Sequence, residues 1–220
     1  MTAPAVRGLY ALADDDPRWG RDPVAQARAA LAGGAAAVQL RAKHAGDRQA
    51  LAWAAAIGEL CRVAGARFFV NDRFDLALAA GADGVHLGQD DLPPGRLPAA
   101  ARARLLVGRS THTLEQARVA AGEPVDYVAF GPVFGTTSKE SAVEARGLAM
   151  LAEAARIAAP RPCVAIGGID AARAGGCMRA GAAAVCVISA LAGAPDMEAA
   201  ARALVRAIEE AVGGAEPARP

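Results

Sequence analysis

Three basic side chains in this sequence have the placement expected of a diphosphate site. Arg41 and Lys43 extend an apolar segment that ends at Leu40, and Lys139 lies in a separate segment rich in hydroxyl groups. Side chains alternate along a strand, so Gln39, Arg41 and Lys43 are expected to point to the same side. Solvated surface cations are the alternative, but cations without a neighbouring excess of acids suit the charge of a diphosphate.

Carboxylates follow two other apolar segments and point to a divalent cation. Asn71 and Asp72 close one segment, and Asp91 follows the next one, within His86–Asp91. Magnesium binds one or two carboxylates in proteins and completes its coordination with water and phosphate oxygens. Helix capping is the alternative for each aspartate taken alone. Considered with the cations, Asp72 and Asp91 favour a Mg²⁺ site.

A second phosphate site is indicated by glycine and hydroxyl residues nearer the C-terminus. Gly167 and Gly168 follow an apolar segment and precede Asp170, and Ile188 and Ser189 end the next apolar segment. Glycine admits close approach of the backbone, and free N–H groups at the start of a helix attract phosphate. A tight turn that needs glycine for its backbone angles is the alternative. Ser189 in the following loop favours phosphate.

The three histidines are not expected to form a zinc site. His44, His86 and His112 have no partner at ligand spacing. His86 lies inside an apolar segment and is expected to be a core residue or to support the site residues. His112 follows Ser110 and could act in proton transfer. A Ser-His-acid nucleophile is not expected, because the sequence has no Gly-x-Ser-x-Gly elbow.

Composition limits the classes of protein to which these residues can belong. The chain has 220 residues, of which 54% are apolar, enough for one large barrel or two small domains. Its 24 basic and 23 acidic residues leave a net charge of +1, which excludes a general polyanion binder. Aromatic residues make up 4%, which argues against a platform for stacking bases. No nucleic acid partner is therefore expected.

Cysteine usage and hydropathy predict a cytoplasmic protein that does not enter the membrane. No two cysteines have the two-residue gap of a metal or redox motif, and each lies among apolar or small residues, typical of buried, reduced thiols. The N-terminus does not resemble a signal peptide, and no run of about 18 apolar residues occurs. The four cysteines are Cys61, Cys163, Cys177 and Cys186.

Short apolar segments alternate with Ala-rich segments that carry charges at helical spacing, such as Asp47–Ala64 and Met197–Ala211. Continuous apolar runs of this length are typical of parallel strands that are buried on both faces. Three helix-to-strand junctions share one glycine-containing plan, in Ala32–Val38, Ala80–Val85 and Ala180–Val185. The eight predicted strands are Gly8–Leu12, Val38–Arg41, Arg67–Val70, Gly84–Leu87, Leu105–Gly108, Tyr127–Phe130, Cys163–Ile166 and Val185–Ile188.

About eight such units without a linker predict an α/β fold, a single (β/α)₈ TIM barrel over residues 1–212. The remaining residues, 213–220, are expected to form a flexible tail. An open, doubly wound sheet is the alternative, but the first strand leads into Ala13–Pro17 rather than a dinucleotide fingerprint. In a barrel the carboxyl ends of all strands meet at one rim, so the cations, carboxylates and glycines would converge.

Five segments together resemble the thiamine-phosphate synthase family, and the resemblance spans Gln39 to Ser189. Two departures stand out: Ala42 replaces the family's usual Glu, and Gly135 replaces the first residue of its Pro-Thr-x-Thr-Lys motif. Ser138 preserves a hydroxyl group where that motif has its second Thr. The five segments are Gln39–Lys43, Asn71–Ala77, Gly81–Pro93, Gly131–Phe134 and Thr136–Lys139.

The resemblance implies an enzyme that joins a hydroxymethylpyrimidine diphosphate to a thiazole phosphate. Diphosphate would leave first, and the thiazole nitrogen would then capture the pyrimidine carbocation. Asp72 and Asp91 would hold Mg²⁺. The implied catalytic residues are Arg41, Lys43, Ser110 and Lys139. The implied substrate-binding residues are Gln39, Leu40, Arg41, Ala42, Lys43, Asn71, Ser110, Thr136, Thr137, Ser138, Lys139, Gly168, Ile188 and Ser189.

Two other functions fit part of the pattern. A thiazole tautomerase on a related barrel would use His112 as a proton shuttle, but would not need Asp72 and Asp91 together. A non-catalytic thiamine-phosphate binding protein would keep Gly168 and Ser189 without the two carboxylates. A sugar-phosphate isomerase would need a paired acid and base, and the sequence shows no convincing pair. The expected partners are small-molecule substrates; a homodimer is compatible with the fold, although no apolar stripe identifies its interface.

Overall fold

Eight parallel strands close into a barrel in chain order, from β1 to β8. The computed structural model describes residues 6–136 and 144–213. The strands are β1 Gly8–Asp14, β2 Ala37–Arg41, β3 Arg67–Asn71, β4 Gly84–Leu87, β5 Leu106–Thr111, β6 Tyr127–Phe130, β7 Cys163–Ile166 and β8 Ala184–Val187. The helices are α1 Pro23–Ala32, α2 Asp47–Ala64, α3 Phe74–Ala79, α4 Ala99–Arg102, α5 Leu114–Gly122, α6 Gly147–Ala158, α7 Ala171–Arg179, α8 Ser189–Ala192 and α9 Met197–Gly213.

Strand pairing confirms the predicted (β/α)₈ barrel and excludes the open sheet. Strand β1 pairs with β2 on one side and with β8 on the other, so that Tyr10 lies opposite both Ala37 and Cys186. A doubly wound sheet would leave two strands with free edges, whereas a closed barrel has none. Within the described residues, no helix combines the length and the apolar character needed to span a bilayer.

All eight predicted strands are present, with boundaries that shift by a few residues. Strand β1 continues to Asp14, two residues beyond its predicted end, and β5 continues to Thr111. Helix α2 has the predicted bounds, and α9 extends to Gly213, which the sequence analysis assigned to the tail. Residues 214–220 lie outside the described residues. The longer β1 and β5 matter because their added residues lie at the rim that contains the site.

Side chains of the strands alternate between two cores. Val38 and Leu40 of β2 pack outward against the helices, whereas Ala37 of the same strand faces the barrel interior. Because the side-chain period of a strand is two, Gln39 lies on the inner face with Ala37. The inner core is formed by Val6, Tyr10, Leu12, Ala37, Phe69, Tyr127, Ala129, Val164, Ala184, Cys186 and Ile188.

Three aromatic rings fill the barrel interior and need two glycines to fit. Phe69 lies between Tyr10 and Tyr127, with ring centroids 5.4 and 5.6 Å away. A Cβ atom on Gly84 would lie 2.6 Å from Cε1 of Phe69, and one on Gly108 would lie 2.5 Å from Cε1 of Tyr127. These distances are well inside van der Waals contact, so both strand glycines provide the volume that the rings occupy.

We expect Gly108→Ala to destabilise the protein by about 1–3 kcal/mol, because the added methyl group overpacks the interior against Tyr127. Chemical denaturation followed by circular dichroism measures this loss. Gly122→Ala is the matched control, since Gly122 ends α5 and its Cβ would meet no atom within 4 Å. An unchanged midpoint for Gly108→Ala would contradict the packing argument.

Candidate active site

The carboxylates of Asp72 and Asp91 meet at the carboxyl ends of the neighbouring strands β3 and β4. The two groups are close enough for Asp91 to affect the pKa of Asp72, and the Lys43 ammonium group forms an ion pair with Asp72. Asp91 also accepts a hydrogen bond of 2.6 Å from the backbone N–H of Gly88. The structure therefore brings together a lysine and two carboxylates that are far apart in the sequence.

Neither aspartate caps a helix in the way that the alternative interpretation requires. Helix α3 follows Arg73 and has no side-chain cap, and the 3₁₀ turn Pro94–Arg96 also lacks one. Asp72 has a φ angle of +62°; all other described residues with a positive φ angle are glycines. Left-handed backbone costs a non-glycine residue about 1–2 kcal/mol. Such strain is typical of functional positions, where the surrounding structure enforces it.

Burial raises the pKa of Asp72, and the hydrogen bond with Asp91 raises it further, while Lys43 partly offsets both effects. Two carboxylates in contact repel each other, so a bound cation would relieve both the repulsion and the loss of hydration. Among the described residues, no group of three or more His, Cys, Asp or Glu side chains is placed to hold a metal. Two carboxylates fit Mg²⁺, which completes its coordination with water and phosphate oxygens and does not require a complete protein cage.

Arg41 is held at the end of β2 by a buried carboxylate. Asp14 ends β1 directly opposite Arg41 and is fully buried. The Arg41 guanidinium donates to both Asp14 oxygens, at 3.1 and 3.2 Å. A charge pair that loses hydration on burial is stable only with good geometry, and this pair restricts the directions in which Arg41 can point.

The loop after β2 is organised by a second carboxylate. Asp15 accepts hydrogen bonds from the backbone N–H groups of Lys43, His44 and Ala45, at 2.8, 2.9 and 2.7 Å. Three successive N–H groups around one carboxylate form an anion-binding turn whose anion is part of the protein. Asp15 thereby fixes the backbone from which the Lys43 side chain reaches Asp72.

A cavity opens between the carboxyl ends of β5 to β8 and contains most of the residues predicted to bind phosphate. Its wall includes five residues from the implied substrate-binding set, contributed by four different loops or strand ends. His112 also lines it. The five residues are Ser110, Thr136, Gly168, Ile188 and Ser189.

The tight-turn explanation holds for the two glycines, and phosphate binding there stays a prediction. Gly167 and Gly168 have φ angles of +100° and +62°, so the turn needs glycine for its backbone. A Cβ on Gly167 would also lie 2.5 Å from Cα of Pro132, and one on Gly168 would lie 2.9 Å from Cβ of Phe134. The turn after β7 therefore packs tightly against the loop after β6, and side chains larger than hydrogen would separate them.

The orientation of His112 follows from its hydrogen bond. Its Nδ1 lies 2.7 Å from the carbonyl oxygen of Gly131, and its backbone N–H donates to Gln116 at 2.7 Å. A carbonyl oxygen only accepts, so Nδ1 is the protonated ring nitrogen whether or not the ring is charged. The imidazole is thereby held at the wall of the cavity by its Nδ1 edge.

A chain of hydrogen bonds crosses the barrel interior. Gln39 donates to the Tyr10 hydroxyl at 2.7 Å, and that hydroxyl lies 3.0 Å from the hydroxyl of Tyr127. Tyr127 lies 2.9 Å from Nδ1 of His86, whose Nε2 lies 2.8 Å from the Ser110 hydroxyl. Burial raises the pKa of both tyrosines far above the usual range, so both remain protonated. His86 is a buried residue that supports Ser110, as its place in the sequence predicts.

The remaining residues of the predicted site differ in what they can offer. The Leu40 side chain is fully buried between the barrel and the helices. Only its backbone could contact a ligand near Gln39. Ala42 packs at the edge of the same outer core. Asn71 ends β3 on the inner face that it shares with Phe69. The predicted site residues Thr137, Ser138 and Lys139 lie outside the described residues.

Sequence reasoning did not assign Tyr10, Tyr127, Asp14 or Asp15 to the site. The tyrosines are the two in the chain, and alternation from Leu12 and Ala129 would have placed both inside the barrel. The predicted first strand ends at Leu12, which leaves both aspartates in the loop that follows it. The structure continues β1 to Asp14, which brings both aspartates to the rim.

Paired carboxylates, cations and a glycine-lined cavity at the carboxyl rim of a (β/α)₈ barrel define a class of enzymes that act on phosphorylated small molecules. Residues 9–191 match the family described as thiamine monophosphate synthase. The chain belongs to that family, and it is accordingly a transferase of thiamine biosynthesis.

Individual relatives agree with this assignment along almost the whole chain. A thiamine-phosphate synthase of Anaeromyxobacter dehalogenans is 50% identical over 214 residues, which cover 96% of this chain and 92% of that protein. One from Methanoculleus marisnigri is 48% identical and covers 89% of this chain and 92% of its own. The solved thiamine phosphate pyrophosphorylase from Pyrococcus furiosus is 36% identical, with a TM-score of 0.84 over 94% of this chain and 97% of that one.

We expect Asp15→Asn to lower kcat/KM about 10- to 100-fold, because one amide oxygen cannot accept all three N–H groups and Lys43 is displaced. Steady-state assays with varied pyrimidine diphosphate measure the change. Asp47→Asn is the matched control: Asp47 begins α2 beyond the same loop, and its side chain is 81% exposed. Equal activity of the Asp15 and Asp47 variants would contradict the role given to Asp15.

Proposed function

We propose that this chain joins 4-amino-2-methyl-5-(diphosphooxymethyl)pyrimidine to a thiazole phosphate, releasing thiamine phosphate and diphosphate. The observation that carries the proposal is the ion pair of Lys43 with Asp72, beside Asp91, at the rim that also holds the cavity of Gly168 and Ser189. One group of residues suits a diphosphate with its metal ion, and the other suits a single phosphate.

The first chemical step is cleavage of the bond between the pyrimidine methylene carbon and oxygen. The electron pair leaves with diphosphate, and positive charge develops on the pyrimidine. Arg41, Lys43 and Lys139 are proposed to neutralise the departing oxygens. Oriented charges of this kind need no reorganisation during the reaction, which is why they lower its barrier. Gln39, Asn71 and Ser110 are proposed to hold the pyrimidine ring.

Asp72 and Asp91 would hold Mg²⁺, which when bound supplies positive charge to the diphosphate. Their hard carboxylate oxygens suit this ion. Burial and the neighbouring Asp91 raise the pKa of Asp72, and a bound cation would offset both effects.

The second step forms the new bond between the thiazole nitrogen and the pyrimidine carbon. The nitrogen lone pair supplies both electrons, so this step needs no general base. Thr136, Ser138, Gly168, Ile188 and Ser189 are proposed to hold the thiazole phosphate, with Thr137 in the same loop. Holding the nucleophile in line with the breaking bond converts capture of the cation into a reaction between bound partners.

The same residues weigh against the two other functions. A tautomerase or a binding protein would have no evident use for Asp72 and Asp91 together beside a lysine, and the burial of two neighbouring carboxylates costs stability. His112 is held by Gly131 at the cavity wall, where it is proposed to contact the thiazole substrate rather than to act as an essential base.

Small molecules are the proposed partners, and the cytoplasm is the proposed location. The free cysteines are buried, and burial raises the pKa of Cys61 and Cys163 to about 12 and that of Cys177 to about 11. Thiols of this kind are unreactive and compatible with a reducing compartment. A homodimer stays a prediction.

The proposed activity is tested by incubating the purified chain with both substrates and following thiamine phosphate by chromatography. We expect product with Mg²⁺, none with EDTA, and about a 10²–10³-fold lower rate for Asp72→Asn. Asp75→Asn, a nearby change on the exposed face of α3, is the control. Binding of thiazole phosphate without any product would refute the synthase and favour the tautomerase, with His112→Ala as the next variant.

Mg²⁺ binding is tested independently of activity by thermal unfolding. Mg²⁺ at about 100 times its dissociation constant should stabilise the wild type by about 2.7 kcal/mol. Asp72→Asn and Asp91→Asn should lose this response. Without metal, Asp72→Asn should be at least as stable as the wild type at neutral pH, because the raised pKa means that the ionised carboxylate destabilises the fold.

The pH dependence of this response has a defined sign. Protons compete with the metal as pH falls through the raised pKa of Asp72, so stabilisation by Mg²⁺ should fade toward acid pH. An equal Mg²⁺ response in all three proteins would show that the metal does not bind at this pair.

A further inference from the structure

The hydrogen-bonded chain through the barrel ends on two residues that the proposed function places on the pyrimidine. Gln39 is at one end, Ser110 is at the other, and Tyr10, Tyr127 and His86 lie between them. We propose that Tyr10, Tyr127 and His86 are positioning residues that orient Gln39 and Ser110 and thereby select an aminopyrimidine. This inference rests on the proposed function, because it assumes that a pyrimidine is bound there.

The composition of the interior supports a role beyond packing. Tyr10 is 1% exposed and Tyr127 is 0% exposed, in an inner core that is otherwise mostly apolar. Burying a hydroxyl group is costly unless it is hydrogen-bonded, and an apolar side chain would avoid the requirement. Gly108, which has no side chain, leaves the space that the ring of Tyr127 occupies. Phenylalanine would fill nearly the same volume, so it is the hydroxyl groups that need an explanation.

The chain links residues from five strands. Tyr10 belongs to β1, Gln39 to β2, His86 to β4, Ser110 to β5 and Tyr127 to β6. Each of these side chains lies inside a barrel whose strands pair rigidly with both neighbours. A polar network that is fully satisfied in such a setting holds its members in one arrangement. Gln39 and Ser110 are therefore fixed relative to each other across the interior, although they are not in adjacent strands.

One orientation of the hydrogen atoms satisfies the whole chain. Gln39 donates to Tyr10, so Tyr10 can pass its own hydrogen to Tyr127, and Tyr127 can pass its hydrogen to Nδ1 of His86. Nε2 of a neutral His86 then donates to Ser110. In this arrangement each tyrosine hydroxyl donates once and accepts once. The Ser110 hydroxyl accepts from His86, which leaves its hydrogen to donate to a ligand.

This polarity matches one kind of pyrimidine. A 4-aminopyrimidine has ring nitrogens that accept hydrogen bonds and an exocyclic amine that donates them. The Ser110 hydroxyl offers a donor, and the side-chain carbonyl oxygen of Gln39 offers an acceptor. The corresponding 4-oxopyrimidine has a ring N–H, which would face the Ser110 donor, and a carbonyl oxygen, which would face the Gln39 acceptor. Neither pair could form a hydrogen bond. Sites that match hydrogen bonds in this way reject such analogues strongly.

The deciding variant is Tyr127→Phe, which breaks the chain in the middle while keeping the ring. We expect KM for the pyrimidine diphosphate to rise about tenfold, with a lower kcat and with KM for thiazole phosphate unchanged within about twofold. A loss of folded protein would lower kcat alone. An equal rise in both KM values, or no rise in either, would overturn the proposal.

A double-mutant cycle asks whether Tyr127 acts through Ser110. In a Ser110→Ala background, Tyr127→Phe should lower kcat/KM by less than a further factor of about two, because the side chain that Tyr127 positions has already been removed. If the fold loss of the double variant equals the product of the two single losses, the two residues act independently, and the proposal is overturned. His86→Gln, which can keep a donor near Ser110, should retain more activity than His86→Leu; equal losses would also count against it.

Phe69→Leu is the packing control, since it removes a ring that contacts both tyrosines but leaves every hydrogen-bonding group in place. It should lower the unfolding temperature without changing either KM. A rise in KM for the pyrimidine substrate alone, equal to that of Tyr127→Phe, would overturn the proposal by assigning the effect to packing.

Equilibrium binding separates this inference from the proposed function. If the wild type makes no thiamine phosphate, titration calorimetry with the pyrimidine diphosphate alone still tests the positioning role. About tenfold weaker binding by Tyr127→Phe would support that role, even though the synthase proposal had failed. Equal binding by both proteins, or no binding by the wild type, would overturn it.

Discussion

Closure of eight short strands into a barrel is the constraint on which the rest of this structure depends. Closure leaves no free sheet edge, but it creates an interior that side chains must fill, and the strands alternate between that interior and the outer core. Three aromatic rings fill the middle, and Gly84 and Gly108 give them room. Above this layer, near the carboxyl ends of the strands, inward positions such as Arg41, Asn71 and Ser110 are polar.

Four aspartates at the rim illustrate how one residue type takes different roles. Asp14 and Asp15 are satisfied by the protein itself, through the Arg41 guanidinium and through three backbone N–H groups. Asp72 and Asp91 instead face each other, and burial and mutual contact raise the pKa of Asp72. The first pair places the cations of the site. In the second pair only Asp72 has a cationic partner, Lys43, and this is the pair that is proposed to hold Mg²⁺.

The two sides of the site are built on different kinds of contact. Ion pairs and hydrogen bonds to carboxylates position Arg41 and Lys43. Close backbone packing positions the other side, where Gly167 and Gly168 approach the loop after β6 and Arg173 bonds to the Gly168 carbonyl at 2.7 Å. The Arg173 guanidinium also lies 5.0 Å from the ring of Phe134, which ties the two loops together. A substrate with a diphosphate at one end and a partner with one phosphate suit this division.

The sequence by itself determined the barrel, the polarity of its two ends and the residues most closely tied to charge. Alternation of apolar strands and Ala-rich helices identifies βα units, because each has its own period. Gln39, Arg41, Lys43, Asp72, Asp91 and Ser189 lie at the carboxyl ends of strands or in the loops that follow them. Only the tertiary structure decided that Asp72 meets Asp91, that Asp14 holds Arg41 and that Tyr10 connects through Tyr127 and His86 to Ser110. The physical reason is that strand periodicity specifies which face a side chain occupies. The partner that a side chain meets across a closed barrel depends on strand register and on where each strand ends. The predicted end of β1 is two residues short, and this is why the sequence does not predict the roles of Asp14 and Asp15.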